Sequence, residues 1–192
     1  MRQTTPGGDG DVPLTTREPL VAHTADLSAA QLREMRVLLE GAFGDRYDDF
    51  DFEHALGGMH ALVYDDAQLI GHGSVVLRRM LHGGRALRTG YVESVAVRAD
   101  RRRAGVGDAV MSALERVIRG GYELGALGAS PAGAALYTSR GWSLWAGTAA
   151  VLTPDGIIPM PDEDGGIYVL PITVELDQDG QLVCDWRDGD VW

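Results

Sequence analysis

Between positions 95 and 107 the chain reads Val-Ala-Val-Arg-Ala-Asp-Arg-Arg-Arg-Ala-Gly-Val-Gly. An apolar strand gives way to a basic turn, and a helix opens at the glycines Gly105 and Gly107. Free N–H groups at a helix start, together with the helix dipole, attract an anion. Glycine lets a phosphate come close to the backbone, and Arg101, Arg102 and Arg103 add charge and donors. A pyrophosphate fits this chemistry. The spacing matches neither a P-loop nor the three-glycine dinucleotide fingerprint. The competing reading is a surface turn carrying a solvated arginine cluster.

Just upstream, Glu93 interrupts the apolar run Val92 to Val97. A carboxylate there is costly unless it is paired or put to use. It is either a base or a structural acid held by Arg88 or another basic residue. The ending Cys184-Asp-Trp-Arg-Asp-Gly-Asp-Val-Trp192 places Asp185, Asp188, Asp190 and the α-carboxylate of Trp192 among two tryptophans. Carboxylates beside flat apolar faces suit a polycation rich in hydroxyls. The alternative is a solvated acidic tail, although such tails seldom carry tryptophan. Asp48, Asp49 and Asp51 are better explained as helix-start acids. The five histidines have no metal-ligand spacing and Cys184 has no partner for a zinc site, so no metal is expected.

Around these residues the periodicity predicts a helix from Asp26 or Ser28, ended by Gly41 and Gly44, and a short one over Asp48 to Leu56. Strands are predicted over 60–64, 68–80 and 87–98, with His82-Gly83-Gly84-Arg85 as a hairpin turn. A helix over 107–119 stopped by Gly120-Gly121, a buried strand over 124–129 and a helix over Pro131 to Ser139 follow. A strand over 143–152, a Pro/Gly/Asp loop to Gly166 and a last clear strand over 167–176 close the series. This order is mixed α/β with a largely antiparallel first half.

The 192 residues suit one domain with a real core. Lys plus Arg number 17 against 28 Asp plus Glu, a net charge of −11, which argues against a nucleic-acid backbone binder. A single cysteine excludes a disulfide scaffold. No run is long and apolar enough to span a bilayer, and Met1 to Thr16 has no apolar stretch of a secretory signal. The expectation is a cytoplasmic protein with no membrane or nucleic-acid partner. Residues 1–17 are expected to form a flexible leader and 18–192 a single domain, with 177–192 as a substrate-binding segment.

The Arg102-x-x-Gly105-x-Gly107 turn resembles the acetyl-CoA loop of the GNAT superfamily of N-acetyltransferases. The run Ala134-Ala-Leu-Tyr137-Thr-Ser-Arg-Gly-Trp142 resembles a second GNAT signature, although Ser130 stands where many members carry Asn. Together with Gly57-Gly58-Met59-His60-Ala61-Leu62, Gly90-Tyr91-Val92-Glu93-Ser94-Val95 and the ending, the chain from about 20 to 192 is similar to the aminoglycoside 2′-N-acetyltransferases of actinobacteria.

That resemblance implies a GNAT-type α/β fold, a central mixed sheet with helices on both faces and split near Val95. It implies acetyl transfer from acetyl-CoA to the 2′-amine of an aminoglycoside, conferring resistance, and a homodimer. Glu93 would be the base acting through water, the Val95 N–H the oxyanion donor and Tyr137 the acid for the thiolate. Without the resemblance, Tyr137 reads as a packed helix tyrosine, and the Val95 and Val97 side chains as core. Acetyl-CoA would lie against Val95, Val97, Arg102, Arg103, Ala104, Gly105, Val106 and Gly107. The aminoglycoside would meet Glu93, Ser94, Gly128, Glu163, Asp190 and Trp192. The rivals are a GNAT enzyme for another small amine or a protein N-terminus, and a non-catalytic module that binds CoA or sequesters an aminoglycoside.

Overall fold

The computed structural model describes residues 18–131 and 133–192, so the leader expected over 1–17 lies outside the described residues. Strand β1 (Leu20–His23) leads through a short turn to helix α1 (Ala29–Phe43) and helix α2 (Asp49–His54). Three long strands follow, β2 (Met59–Asp65), β3 (Gln68–His82) and β4 (Arg85–Val97). Helix α3 (Val106–Gly121), strand β5 (Leu124–Gly128) and helix α4 (Ala134–Ser139) come next. The chain ends in β6 (Ser143–Leu144), β7 (Thr148–Thr153), β8 (Gly156–Pro159), β9 (Ile167–Pro171) and β10 (Gln181–Asp185).

All ten strands form one mixed sheet in the order β6-β9-β5-β4-β3-β10-β7-β8. The first half of β3 pairs β2, which carries β1 beyond it, and the second half pairs β10. The β4–β5 and β10–β7 pairs are parallel and the others antiparallel. Alternate residues of β2 divide the two faces. Ala61 and Val63 pack with Val110, Met111 and Leu114 of α3, whereas Leu62 packs with Met35, Leu38 and Leu39 of α1. Helices therefore cover both faces, as expected. Tyr91, Trp145, Cys184, Val191 and Trp192 fill a further core where the β10–β7 end curls over.

Local sequence explains most element ends. Ser28 and Gln31 form a reciprocal capping box at α1, and Asp48 and Asp51 form one at α2. Gly44, at φ +67, ends α1, while Gly41 lies inside the helix. Helix α3 continues through Gly121, and α4 begins after Gly133, later than Pro131.

The strand expected over 143–152 is two strands. β6 pairs β9 and β7 pairs β10, and the chain crosses between them at Gly147, whose backbone abuts Gly180. The strand expected to reach 176 ends at Pro171, after which the N–H groups of Ile172 and Thr173 turn to the Glu123 carbonyl. β1, β8 and β10 are only four or five residues long, too short to show a period, and their pairing partners define them.

After β10 the ending folds back, held by Arg78 of β3, which is buried. Its Nε donates to Asp185 Oδ1, its Nη2 to the Asp185 carbonyl and its Nη1 to the Val191 carbonyl, each at 2.7 Å. Its guanidinium also lies 4.9 Å from the centre of the Tyr91 ring. Replacing Arg78 with Met strands two carbonyls and should cost about 2–4 kcal/mol in urea unfolding. A loss below about 1 kcal/mol would show that other contacts hold the ending.

Candidate functional site

The site begins where β4 stops behaving as a regular strand. His72 pairs Ala96 and Ser74 pairs Glu93, so Gly73 faces both Ser94 and Val95. The extra residue is a β-bulge, and Ser94 takes φ +51, a left-handed conformation unusual for a residue with a side chain. On its other side β4 pairs β5 only from Thr89 to Tyr91, against Leu124 to Ala126. Beyond Val92 the two parallel strands part, which opens the split expected near Val95.

A cavity of about 380 Å³ lies in this opening. Glu93, Ser94, Val95, Gly128 and Tyr137 line it, together with Asp190 and Trp192 from the ending. Asp51 and His54 of α2, Arg46, Tyr47, Tyr91 and Arg187 complete much of the wall. Of the expected substrate residues, Glu163 stands apart from this wall, in the turn Pro161–Glu163. Burial raises its carboxyl pKa, and the charge of Asp190 raises it further, so the two acids sense each other.

Glu93 is ion-paired to Arg187 rather than to Arg88, which instead donates to the Gly121 carbonyl. Two influences oppose each other at Glu93. Burial disfavours the charged carboxylate most, and the Arg187 guanidinium favours it; the balance pushes the pKa up to about 7. Tyr137 packs its ring against Trp142 and Tyr168, and burial pushes its pKa up to about 12. Its helix is fastened to α3 through the buried Glu115, which accepts from Arg140 Nε at 2.8 Å and Trp142 Nε1 at 3.0 Å. The Ser139-Arg140-Gly141-Trp142 motif is thus the anchor that sets Tyr137. The Tyr91 hydroxyl is buried with no hydrogen-bond partner among the described residues.

The ending supplies fewer free acids than its sequence suggests. Asp185 is bound to Arg78. Asp190 Oδ1 accepts the Trp192 N–H at 3.1 Å, and Asp188 gives its carbonyl to His54 Nε2 at 2.8 Å. Arg187 also donates to the Asp190 carbonyl at 2.7 Å and to a Trp192 oxygen at 3.4 Å. Gly189, at φ +75, presses on Phe50 of α2, where a Cβ would come within 2.7 Å. The ending is packed at its terminus, where Val191 and Trp192 are buried, while Trp186, Asp188 and Asp190 are exposed.

The basic turn leads from Val97 to α3. Arg101 is committed to Asp65 at 2.9 Å, so of the turn's arginines Arg102 and Arg103 are the two without a carboxylate partner among the described residues. Gly105, at φ +78, precedes α3, and no side chain caps the N–H groups that follow. The capped starts of α1 and α2 show what is missing here. Uncapped donors beside two unpaired guanidiniums fit a pyrophosphate. Gly107 faces Leu136, the neighbour of Tyr137, so this anion site and the cavity adjoin along α3 and α4. Val106 is buried, and only its backbone can serve a ligand. Among the described residues no group of three or more His, Cys, Asp or Glu could hold a metal.

Sequence reasoning offered Arg88 or another basic residue as a partner for Glu93, and Arg187, the one cation among the ending's acids, was the signal for the right one. His60 and His72, which the spacing kept apart, are in contact at 3.0 Å.

Residues 24–145 match the family model of the acetyltransferase (GNAT) domain. An aminoglycoside 2′-N-acetyltransferase of Mycolicibacterium fortuitum is 48% identical over 176 residues, 90% of each chain. Among solved structures, the Escherichia coli GNAT family N-acetyltransferase YhbS in complex with CoA aligns at TM-score 0.59 and 17% identity, over 97% of this chain and 94% of that one. A Brucella melitensis GNAT family acetyltransferase in complex with acetyl-CoA aligns at TM-score 0.57 and 16% identity, over 85% and 94%.

Glu93 also leaves a signature in stability. Its folded pKa of about 7 exceeds the ordinary 4.5, so the folded state keeps the proton longer than the unfolded chain. The resulting contribution is complete below the ordinary value and is lost as pH rises through the folded one. Urea unfolding should therefore show the stability of the parent falling relative to Glu93→Gln across this window, then levelling off. A difference independent of pH would place the carboxyl near its ordinary pKa.

Proposed function

The chain belongs to the GNAT acetyltransferases and is similar over nearly its whole length to an aminoglycoside 2′-N-acetyltransferase, and from that premise we propose that it transfers acetyl from acetyl-CoA to the 2′-amine of an aminoglycoside. The carrying observation is that one cavity collects a buried acid of pKa about 7, the bulged Val95 backbone, Tyr137 and the acidic ending. Acetyl-CoA supplies the activated acyl group as a thioester.

In this reading, Arg102, Arg103 and the N–H groups from Ala104 to Gly107 hold the pyrophosphate. The opening between β4 and β5 admits the pantetheine arm, beside Val95 and Val97. Asp190, the Trp192 carboxylate and Glu163 draw the polycation, and Ser94 and Gly128 supply close backbone. Glu93 takes the proton of the attacking ammonium through a water. A base with a pKa near the working pH is both ionised often enough and basic enough for this step. The Val95 N–H then stabilises the oxyanion, an interaction typically worth ~3 kcal/mol of barrier. Tyr137, protonated at neutral pH, returns a proton to the departing thiolate. The same proposal takes resistance as the biological outcome and a homodimer as the assembly. The exposed Ile157 and Ile158 of edge strand β8 would suit such pairing.

Thiol release should accompany addition of aminoglycosides bearing a 2′-amine and be absent for those with a 2′-hydroxyl. Acetylation of the latter through another amine would overturn the regiochemistry. Glu93→Gln should lower kcat about a hundredfold at neutral pH and recover in part toward the amine pKa. A mutant rate that does not vary with pH would leave Glu93 a binding group only. Gly105→Val should raise KM for acetyl-CoA far more than KM for the drug; equal rises would give the turn another task.

A further inference from the structure

A file of polar groups, buried at its two histidines, runs behind the bulge, and none of the chemistry above uses it. The Gly57 N–H donates to Thr24 Oγ1 at 2.8 Å, and that oxygen lies 2.7 Å from His60 Nε2. His60 Nδ1 lies 3.0 Å from His72 Nε2, and His72 Nδ1 lies 3.0 Å from the Ser94 carbonyl oxygen. The file thus crosses from the turn after β1 through β2 and β3 to the bulge in β4.

The Ser94 carbonyl end fixes its direction, since at the other end the Thr24 hydroxyl can also donate to the Gly58 carbonyl at 3.3 Å. A backbone N–H can only donate and a carbonyl can only accept. His72 must therefore carry its proton on Nδ1 and accept at Nε2. His60 must then donate from Nδ1, leaving its Nε2 to accept the Thr24 hydroxyl proton. Both rings are neutral in this arrangement, each with one donor and one acceptor satisfied. Complete burial of both favours that state, lowering the pKa of His60 to about 4 and of His72 to about 3.

We propose that His72, backed by His60 and Thr24, is a positioning residue for acetyl transfer, which grips the Ser94 carbonyl and so aims the Val95 N–H into the cavity. The link is the planarity of the peptide unit. The carbonyl of Ser94 and the N–H of Val95 belong to the same amide and point in opposite directions. An imidazole that fixes the oxygen on the β3 side fixes the hydrogen toward the gap where β5 has left. A hydrogen bond to the carbonyl also polarises the amide, which makes its N–H a better donor. The grip acts where it is needed, because Ser94 at φ +51 would otherwise relax toward ordinary extended backbone. A packing role alone would have been met by apolar side chains, which carry no desolvation cost.

The inference rests on the Val95 N–H being the oxyanion donor. Its test compares His72→Leu, which removes the donor, with His72→Asn, which keeps an N–H near the Nδ1 position. The readouts are thiol release and calorimetric CoA binding, with kcat expressed per CoA-binding site so that misfolded chains do not count. His72→Leu should lower kcat by about tenfold or more, with KM for both substrates and the Kd for CoA within about twofold of the parent. His72→Asn should recover most of the rate. Thr24→Val breaks the far end without touching His72 and should give a smaller fall in kcat, again without a change in KM. This variant decides the matter if His72→Leu does not fold. An active parent with His72→Leu within about twofold in kcat, or with losses not restored by Asn, would overturn the positioning role alone. So would a Thr24→Val rate equal to the parent when His72→Leu is unfolded. An inactive parent would instead overturn the proposed function and the inference with it.

Discussion

The geometry of the site depends on one buried cation. Arg78 spans the β3–β10 junction and binds Asp185, which ends β10, and the carbonyl of Val191, six residues further on. A guanidinium cannot shed its proton, so burying it demands acceptors in fixed directions. Here the acceptors are a carboxylate and two carbonyls of the returning chain. The arrangement dictates the path of that chain more than it adds to stability, because a buried ion pair sets desolvation against attraction. From that path follow the placing of Arg187 over Glu93, of Asp190 at the cavity wall and of Trp192 in the core.

Glu93 shows why such a path matters chemically. A carboxyl buried with no cation would stay protonated well above neutrality, and a carboxylate fully matched by arginine would be too weak a base. Arg187 brings the group between these limits. The same arginine binds backbone oxygens of the ending, so the electrostatics of the base are tied to the shape of the segment over the cavity. The acid, its arginine and Asp190 of the ending meet within a single cavity wall. The net charge of −11 supplies long-range attraction for a polycation, while the basic turn before α3 keeps a local opposite sign.

What the sequence revealed was mostly local chemistry. Glu93 stood out because an acid broke an apolar run, and Gly105 because glycine before a helix after arginines has few other uses. Tyr137 was found through its resemblance to a motif, and the structure adds that Arg140 and Trp142 matter by binding Glu115, 25 and 27 residues away. Partners farther off were invisible. Arg78 meets Asp185 across 107 residues and Arg187 meets Glu93 across 94, and no spacing rule joins such pairs. His60 and His72 were judged against metal geometry, whereas strand register makes them hydrogen-bond partners of each other. Charge counting likewise overstated the ending, since Asp185 is consumed by the fold.

The place of β10 bears on how the molecule is made. It is the last strand in the chain, yet it lies inside the sheet between β3 and β7. Until residues 181–185 leave the ribosome, the second half of β3 and the inner edge of β7 display unpaired backbone, and the two regions of sheet have no common strand. Pairings of such high sequence separation form slowly, and unpaired edges invite association with other nascent chains. The apolar cluster of Leu182, Val183 and Cys184 therefore acts as a late keystone, and chaperone dependence during synthesis should concentrate in the interval before it arrives.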